Sequence, residues 1–190
     1  MPDAFLGDGL VFEERLPMLW EPDAAPTGAA LARLNAANHQ LLIALASLEE
    51  SRSAETLKDE SPALAHELQR LEYKLDVLLR LTAELAARAA PLPPVAHVRI
   101  AAAGLEWYQP SGTFTPGASG LLHVYLSAAL PEPLRLPAVV VGELERAGER
   151  VVQLGFREAS DAVIGALEKL IFRHHRRQIA GSRQHSPSHS

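Results

Sequence analysis

With 190 residues, 47% of them apolar, the chain suits one compact domain plus an accessory element, or two very small domains, and is too apolar for a disordered polymer. A net charge of −5 argues against a general nucleic-acid or anionic-membrane surface, which needs a basic balance. The lack of cysteine excludes disulfides, thiol nucleophiles and thiolate metal sites, and it fits a reducing compartment.

The first residues, MPDAFLGDGLVFEERL, lack a basic segment followed by an apolar core, so they do not read as a signal peptide. No stretch reaches the roughly 18 uncharged apolar residues of a membrane span. The longest candidate, Leu41 to Leu48, is bounded by His39-Gln40 and Glu49-Glu50. The expected location is the cytoplasm, with no membrane insertion. Residues 1–30 carry Pro2, Pro17, Pro22 and Pro26 and little periodicity, and read as an extended N-terminal arm anchored by Phe12 and Trp20.

Residues 31–90 read as a helical oligomerisation segment. Leu31, Leu34, Asn38, Leu41, Leu45 and Leu48 alternate by three and four residues. An asparagine at Asn38, inside this seam, is a residue type that fixes register and oligomer state in coiled coils. The segment from Ser51 to Ser61 breaks the pattern, and Ser61-Pro62 restarts it with a serine N-cap and a proline at the first helical position. Leu64, Leu71, Leu78 and Leu85 then repeat every seven residues, with Leu68, Leu75 and Thr82 as the companion series. Leu79 and Leu81 widen the apolar face beyond what two strands need. This predicts self-association, with a homotetramer favoured and Leu64, Leu68, Leu71, Leu75, Leu78 and Leu85 as the interface. The competing reading is a helix hairpin packed on the chain's own β domain.

Pro91, Pro93 and Pro94 end the helix. Beyond them, His97–Ala101, Gly104–Gln109, Leu121–Ser127, Ala138–Leu144 and Val151–Arg157 read as short strands, with a hairpin turn at Arg146-Ala147-Gly148-Glu149. Together they predict a small antiparallel barrel or sandwich over residues 95–180. A last helix, capped by Ser160 or Asp161, shows an apolar face of Val163, Leu167, Leu170 and Ile171 and a basic end at Arg173–Arg177. Residues 181–190 read as a disordered tail.

No catalytic or metal constellation stands out. His185 and His189 lie in a Ser/Pro tail, and His174-His175 are adjacent, so on a helix they diverge. No nucleophile elbow, phosphate loop or paired carboxylates are present, and Ser111-Gly112 and Gly117–Gly120 read as loops between strands. These residues point to a protein that is not an enzyme and carries no metal or resident cofactor.

The β half resembles a PilZ domain on three features. The junction Arg99-Ile100-Ala101-Ala102-Ala103-Gly104-Leu105 parallels that family's Asp/Asn-x-Ser/Ala-x-x-Gly motif. The strand Val151–Phe156 and the helix ending in Leu170-Ile171-Phe172 follow in the family's order. With heptad helices before the barrel, the whole chain resembles the atypical, tetramer-forming branch. The resemblance implies an α+β fold: N-terminal heptad helices forming a coiled coil, then a PilZ-like β-barrel and a C-terminal helix. It also implies a place in bacterial cyclic di-GMP or type IV pilus-linked signalling, beside an unidentified signalling protein. The departures matter. Binding members carry an Arg-x-x-x-Arg pair just before the barrel, but Ala89 to Val98 holds no arginine and Arg88 stands alone. Arg99 replaces the motif's Asp/Asn, while Ala101 and Gly104 fit it. Gly104 also has a purely structural reading as a positive-φ or bulge residue. The expectation is a degenerate motif at Arg99, Ala101 and Gly104 that does not bind cyclic di-GMP in the usual way. The alternatives are a genuine receptor using substitute arginines (Arg99 with Arg173, Arg176 or Arg177) and a purely structural assembly protein.

Overall fold

The computed structural model describes residues 5–7, 9–51, 62–89, 91–127, 130 and 132–184. In chain order the elements are β1 (Phe12–Pro22), α1 (Gly28–Ser51), α2 (Pro62–Ala89), β2 (Val95–Ala101), β3 (Gly104–Tyr108), β4 (Ser119–Val124), β5 (Leu134–Arg146), β6 (Glu149–Phe156) and α3 (Asp161–Gln184). The six strands close into an antiparallel barrel in the order β1-β2-β3-β6-β5-β4.

The barrel begins earlier than the sequence pattern implies. The stretch expected to be an N-terminal arm contains β1, which pairs with β2 from Phe12↔Ile100 to Pro17↔Val95 and then with β4 from Met18↔Val124 to Pro22↔Gly120. Pro17 has no N–H for a ladder, and it stands where β1 changes partner. The change demands a close approach on the far side, because a Cβ on Gly120 would lie 2.5 Å from the Glu21 carbonyl and 2.6 Å from the Trp20 ring. The helical segment therefore does not precede the barrel, as the sequence order suggested; it is inserted between the barrel's first and second strands.

The final hairpin forms where its sequence places it. Ala147 and Gly148 have φ of 54° and 81°, the two consecutive left-handed residues that a tight two-residue turn needs to follow the strand twist. β5 is longer than its apolar run implies and carries a register shift between Val140 and Gly142.

Inward positions of the strands, among them Val98, Leu105, Leu122, Leu136, Val140 and Leu154, are buried to within a few per cent. α3 adds Val163, Leu167, Leu170 and Ile171 to the same core. Its first turn is capped by Ser160, whose Oγ accepts the Val163 N–H at 3.4 Å and whose carbonyl accepts the Ile164 N–H at 3.0 Å. α3 continues through Gln184, so Gly181–Gln184, read from sequence as tail, are helical; the rest of that tail, 185–190, lies outside the described residues.

The two inserted helices differ. α1 starts after Thr27, whose carbonyl accepts the Ala30 and Leu31 N–H groups, and packs on α3 and β5, burying Leu34, Leu41, Leu42 and Leu45. Asn38 is 2% exposed, and its side chain makes the two bonds a neighbouring strand would make. Its Nδ2 donates to the Arg135 carbonyl at 2.6 Å and its Oδ1 accepts the Arg135 N–H at 3.0 Å. The register role expected of Asn38 in an oligomer is thus replaced by docking on its own barrel, because β5 offers an unpaired backbone amide and carbonyl at that point. Asn35, one turn earlier, does likewise with the Glu158 carbonyl (2.9 Å) and the Ser160 N–H (3.1 Å). α2 runs for 28 residues and takes no part in the main packing contacts among the described elements. The break before it, including Ser61, lies outside the described residues from 52 onward.

Candidate functional site

The degenerate motif spans the β2–β3 turn. Arg99 and Ala101 lie on β2, Gly104 opens β3, and the ladder pairs Arg99 with Glu106 and Ala101 with Gly104. Side chains alternate across a strand, so Val98, Ile100, Leu105 and Trp107 point into the core and Arg99 and Glu106 point outward.

Glu106 is nevertheless fully buried. An ionised carboxylate is stable there only if its lone pairs are taken up by charged and polar donors. Arg99 Nη1 donates to its Oε2 at 2.8 Å. Arg146 Nη1 donates to the same oxygen at 2.6 Å, and Arg146 Nη2 donates to Oε1 at 3.2 Å, a fork on a carboxylate. Gln153 Nε2 adds a bond to Oε1 at 3.1 Å. The bonds to Glu106, and next the Tyr108 hydroxyl 3.0 Å from Arg146 Nη1, hold the Arg146 guanidinium above its ordinary pKa. Arg99 further approaches Glu13, with Nε 3.7 Å from Oε2. The residue standing where the motif has an acceptor is therefore spent on a carboxylate of the neighbouring strand.

Ala101 is buried. Gly104 has no positive φ, so the positive-φ reading of it is corrected. Its role is space: a Cβ there would stand 2.7 Å from the Leu154 carbonyl and 2.9 Å from the Phe5 ring. Phe5 and the buried Leu6 thus lay the N-terminal segment directly on the motif's glycine. The segment that truly precedes the barrel, residues 1–11, contains no arginine; the first in the chain is Arg15.

The substitute arginines sit on the second half of α3. This helix packs on β1 and β2, and the His174 ring lies 4.4 Å from the Phe12 ring. The Arg176 guanidinium is 5.9 Å from the Phe172 ring centroid. Among the described residues no three His, Asp or Glu side chains come together as metal ligands.

The other candidate region is α2. Leu68, Leu71, Leu75, Leu78 and Leu85 are 44–64% exposed, joined by Leu81 and Tyr73. The side chain of Leu64 lies outside the described residues. Among the described residues, the polar side chains between them make local contacts, such as Arg70 to Glu67 at 2.8 Å and Thr82 Oγ1 to the Leu79 carbonyl at 2.9 Å. No described helix is long and apolar enough to cross a membrane.

Sequence reasoning missed Glu106, Arg146, Gln153 and the N-terminal cover. A lone acidic residue within the otherwise apolar run Leu105–Tyr108 was the available signal for the first.

A closed six-stranded antiparallel barrel with a C-terminal helix packed into its core defines a small barrel domain. Residues 42–184 match the profile of the atypical PilZ domain, cyclic di-GMP receptor family, and the chain belongs to that family. Among solved structures it is similar to a pathogenic protein of Xanthomonas campestris, a tetrameric PilZ domain self-assembled via an unusual helical bundle. The two share 29% identity with a TM-score of 0.73 over 93% of this chain and 94% of that one. No curated protein matches the chain.

Proposed function

We propose that this protein is a non-enzymatic, oligomeric PilZ-like adaptor of the cytoplasm, acting in bacterial cyclic di-GMP or type IV pilus-linked signalling. It assembles through α2 as a coiled-coil homotetramer and lacks the family's usual nucleotide site. The observation that carries the reading is the unpartnered leucine stripe of α2. A row of leucines at heptad spacing is stable in water only when a second helix covers it. The tetramer of the Xanthomonas campestris relative, built by a helical bundle, supports the same use here.

The negative half of the reading rests on charge. A nucleotide with two phosphates and two guanines needs planar cations in fixed register. Residues 1–11 supply none, Arg99 is bound to Glu106, and Phe5 covers Gly104. Losing several charge-assisted contacts, at about 1.5–3 kcal/mol each, weakens binding by several powers of ten. Calorimetric titration of the full chain with cyclic di-GMP is the test, with no heat of binding expected at low micromolar ligand. A dissociation constant below about 10 µM would instead favour a receptor using substitute arginines, to be located by single substitution of Arg99, Arg173 and Arg177.

A further inference from the structure

At the opposite end of β2 from the motif, the barrel wall opens. The β2–β3 ladder stops at Val98↔Trp107, yet β2 continues back to Val95 along β1. β3 is turned aside at Gln109, which has φ of 50° and donates its N–H to the Arg150 carbonyl at 2.7 Å. The wedge between the two strands is a cleft of about 580 Å³. That is the size of a small-molecule site.

Four aromatic side chains line it: Trp20, half-buried, and Trp107, Tyr108 and Phe114, which are 5–9% exposed and show the cleft only the rim of the core. Phe114 lies between the two indoles, 6.2 Å from Trp20 and 5.7 Å from Trp107 by ring centroids. Tyr108 stacks on His97 at 4.3 Å along one side. Such a surface favours flat rings, which meet faces and edges of opposite partial charge. The outer lip, Pro110 to Phe114, is already held in place. Arg150 Nη1 donates to the Pro110 and Gly112 carbonyls at 3.2 and 3.0 Å, its guanidinium lies 5.9 Å from the Phe114 centroid, and Glu143 clamps it from behind. A preformed lip spares the ligand the cost of ordering a loop.

The charges around the opening are unequal in commitment. Glu149 accepts a bond from Gln109 Nε2 at 2.9 Å, and His97 Nε2 is 2.9 Å from Glu13. The Arg15 guanidinium, exposed on the rim, has no side-chain partner among the described residues. We propose that this cleft is a binding site for a small planar aromatic carboxylate, its ring among Trp20, Trp107 and Phe114 and its carboxylate on Arg15. The site lies at the other end of β2 from the motif, although Tyr108 and His97 on its wall reach the Arg99–Glu106–Arg146 cluster through Arg146 and Glu13.

The chain offers its own reporter, because its two tryptophans, Trp20 and Trp107, both line the cleft. The experiment titrates the full chain with 4-bromobenzoate, a heavy-atom quencher, and with its neutral counterpart 4-bromobenzamide, reading tryptophan emission. The expected result is saturable quenching by the acid with a dissociation constant below about 1 mM, and weaker binding of the amide. Arg15→Gln should weaken the acid about tenfold, as loss of one charge-assisted bond implies, and leave the amide unchanged. Val95→Glu, which sets a carboxylate on the exposed rim, should have the same selective effect. Linear quenching without saturation overturns the proposal, and so does saturable quenching that treats acid and amide alike in the unsubstituted chain, a comparison that needs no variant to fold.

Discussion

α1 and α2 are neighbours in sequence, are both leucine-rich and have nearly equal claims to a heptad seam, yet they do opposite things. α1 spends its leucines inside the chain: Leu34, Leu41, Leu42 and Leu45 are buried, and Asn35 and Asn38 stitch it to backbone groups of α3's cap and β5. α2 keeps its leucines on the outside and, among the described residues, has no comparable polar stitch to the barrel. Periodicity says that a face must be covered. It does not say by what, and here the polar residues within the seam separate the two destinations.

The most forceful way to break this contrast is to charge the α2 stripe. Leu71→Glu with Leu78→Glu should dissociate the assembly, since each leucine buried in a helical interface contributes about 2–5 kcal/mol. Sedimentation equilibrium should then report a monomer whose circular dichroism keeps the barrel's β signal. An unsubstituted chain that is already monomeric at micromolar concentration would refute the assembly role. In α1 the same residue type should give the converse result. Leu42→Ala should cost about 3 kcal/mol in denaturant unfolding and leave the assembled mass unaltered.

Asn38→Ala sharpens the comparison at finer scale. It strands the Arg135 N–H and carbonyl, so about 1–3 kcal/mol of stability should go with no change in stoichiometry. A changed oligomer number would restore Asn38 to a role between chains. The smallest effect belongs to a pair on the barrel, remote from either helix. The Arg150 hydrogen bond holds the Glu143 carboxyl below its ordinary value of 4.5 in the folded protein. Its contribution is therefore complete above that value and is lost as pH falls through the lower, folded one. Glu143→Gln should lower Tm slightly near neutrality, leave it unchanged at acid pH where the native carboxyl is itself protonated, and so remove that part of the acid dependence. The pair is exposed, so the change should be slight.

Much of this was legible in the sequence, and the failures have physical causes. The helix α2, the Ala147-Gly148 turn and the Ser160 cap rest on local signals, set by residues within one or two turns of each other, and each lies where its pattern puts it. β1 was hidden because its alternation, Phe12, Leu16, Met18 and Trp20, is interrupted by Glu14 and Pro17, and because its partners are β2 and β4, far along the chain. The carboxylate of Glu106 has meaning only once Arg99, Arg146 and Gln153 converge on it from three strands. Nothing in the spacing of those residues foretells the meeting. The cleft at Trp20 and Trp107 is harder still, being made by the parting of two strands rather than by any run of residues.

The insertion of both helices between β1 and β2 also sets a timetable for synthesis. β1 leaves the ribosome first, at about 5–20 residues per second, and must wait for both helices before β2 appears and for β4 before its second ladder can form. Throughout that interval Leu16, Met18 and Trp20 belong to an unpaired strand, the kind of edge that recruits wrong partners. α2 is complete before β2 exists. Under the proposed assembly, nascent chains on one message can therefore meet through their helices while every barrel is still open, and β6, the last strand made, closes each barrel by pairing with β3 and β5.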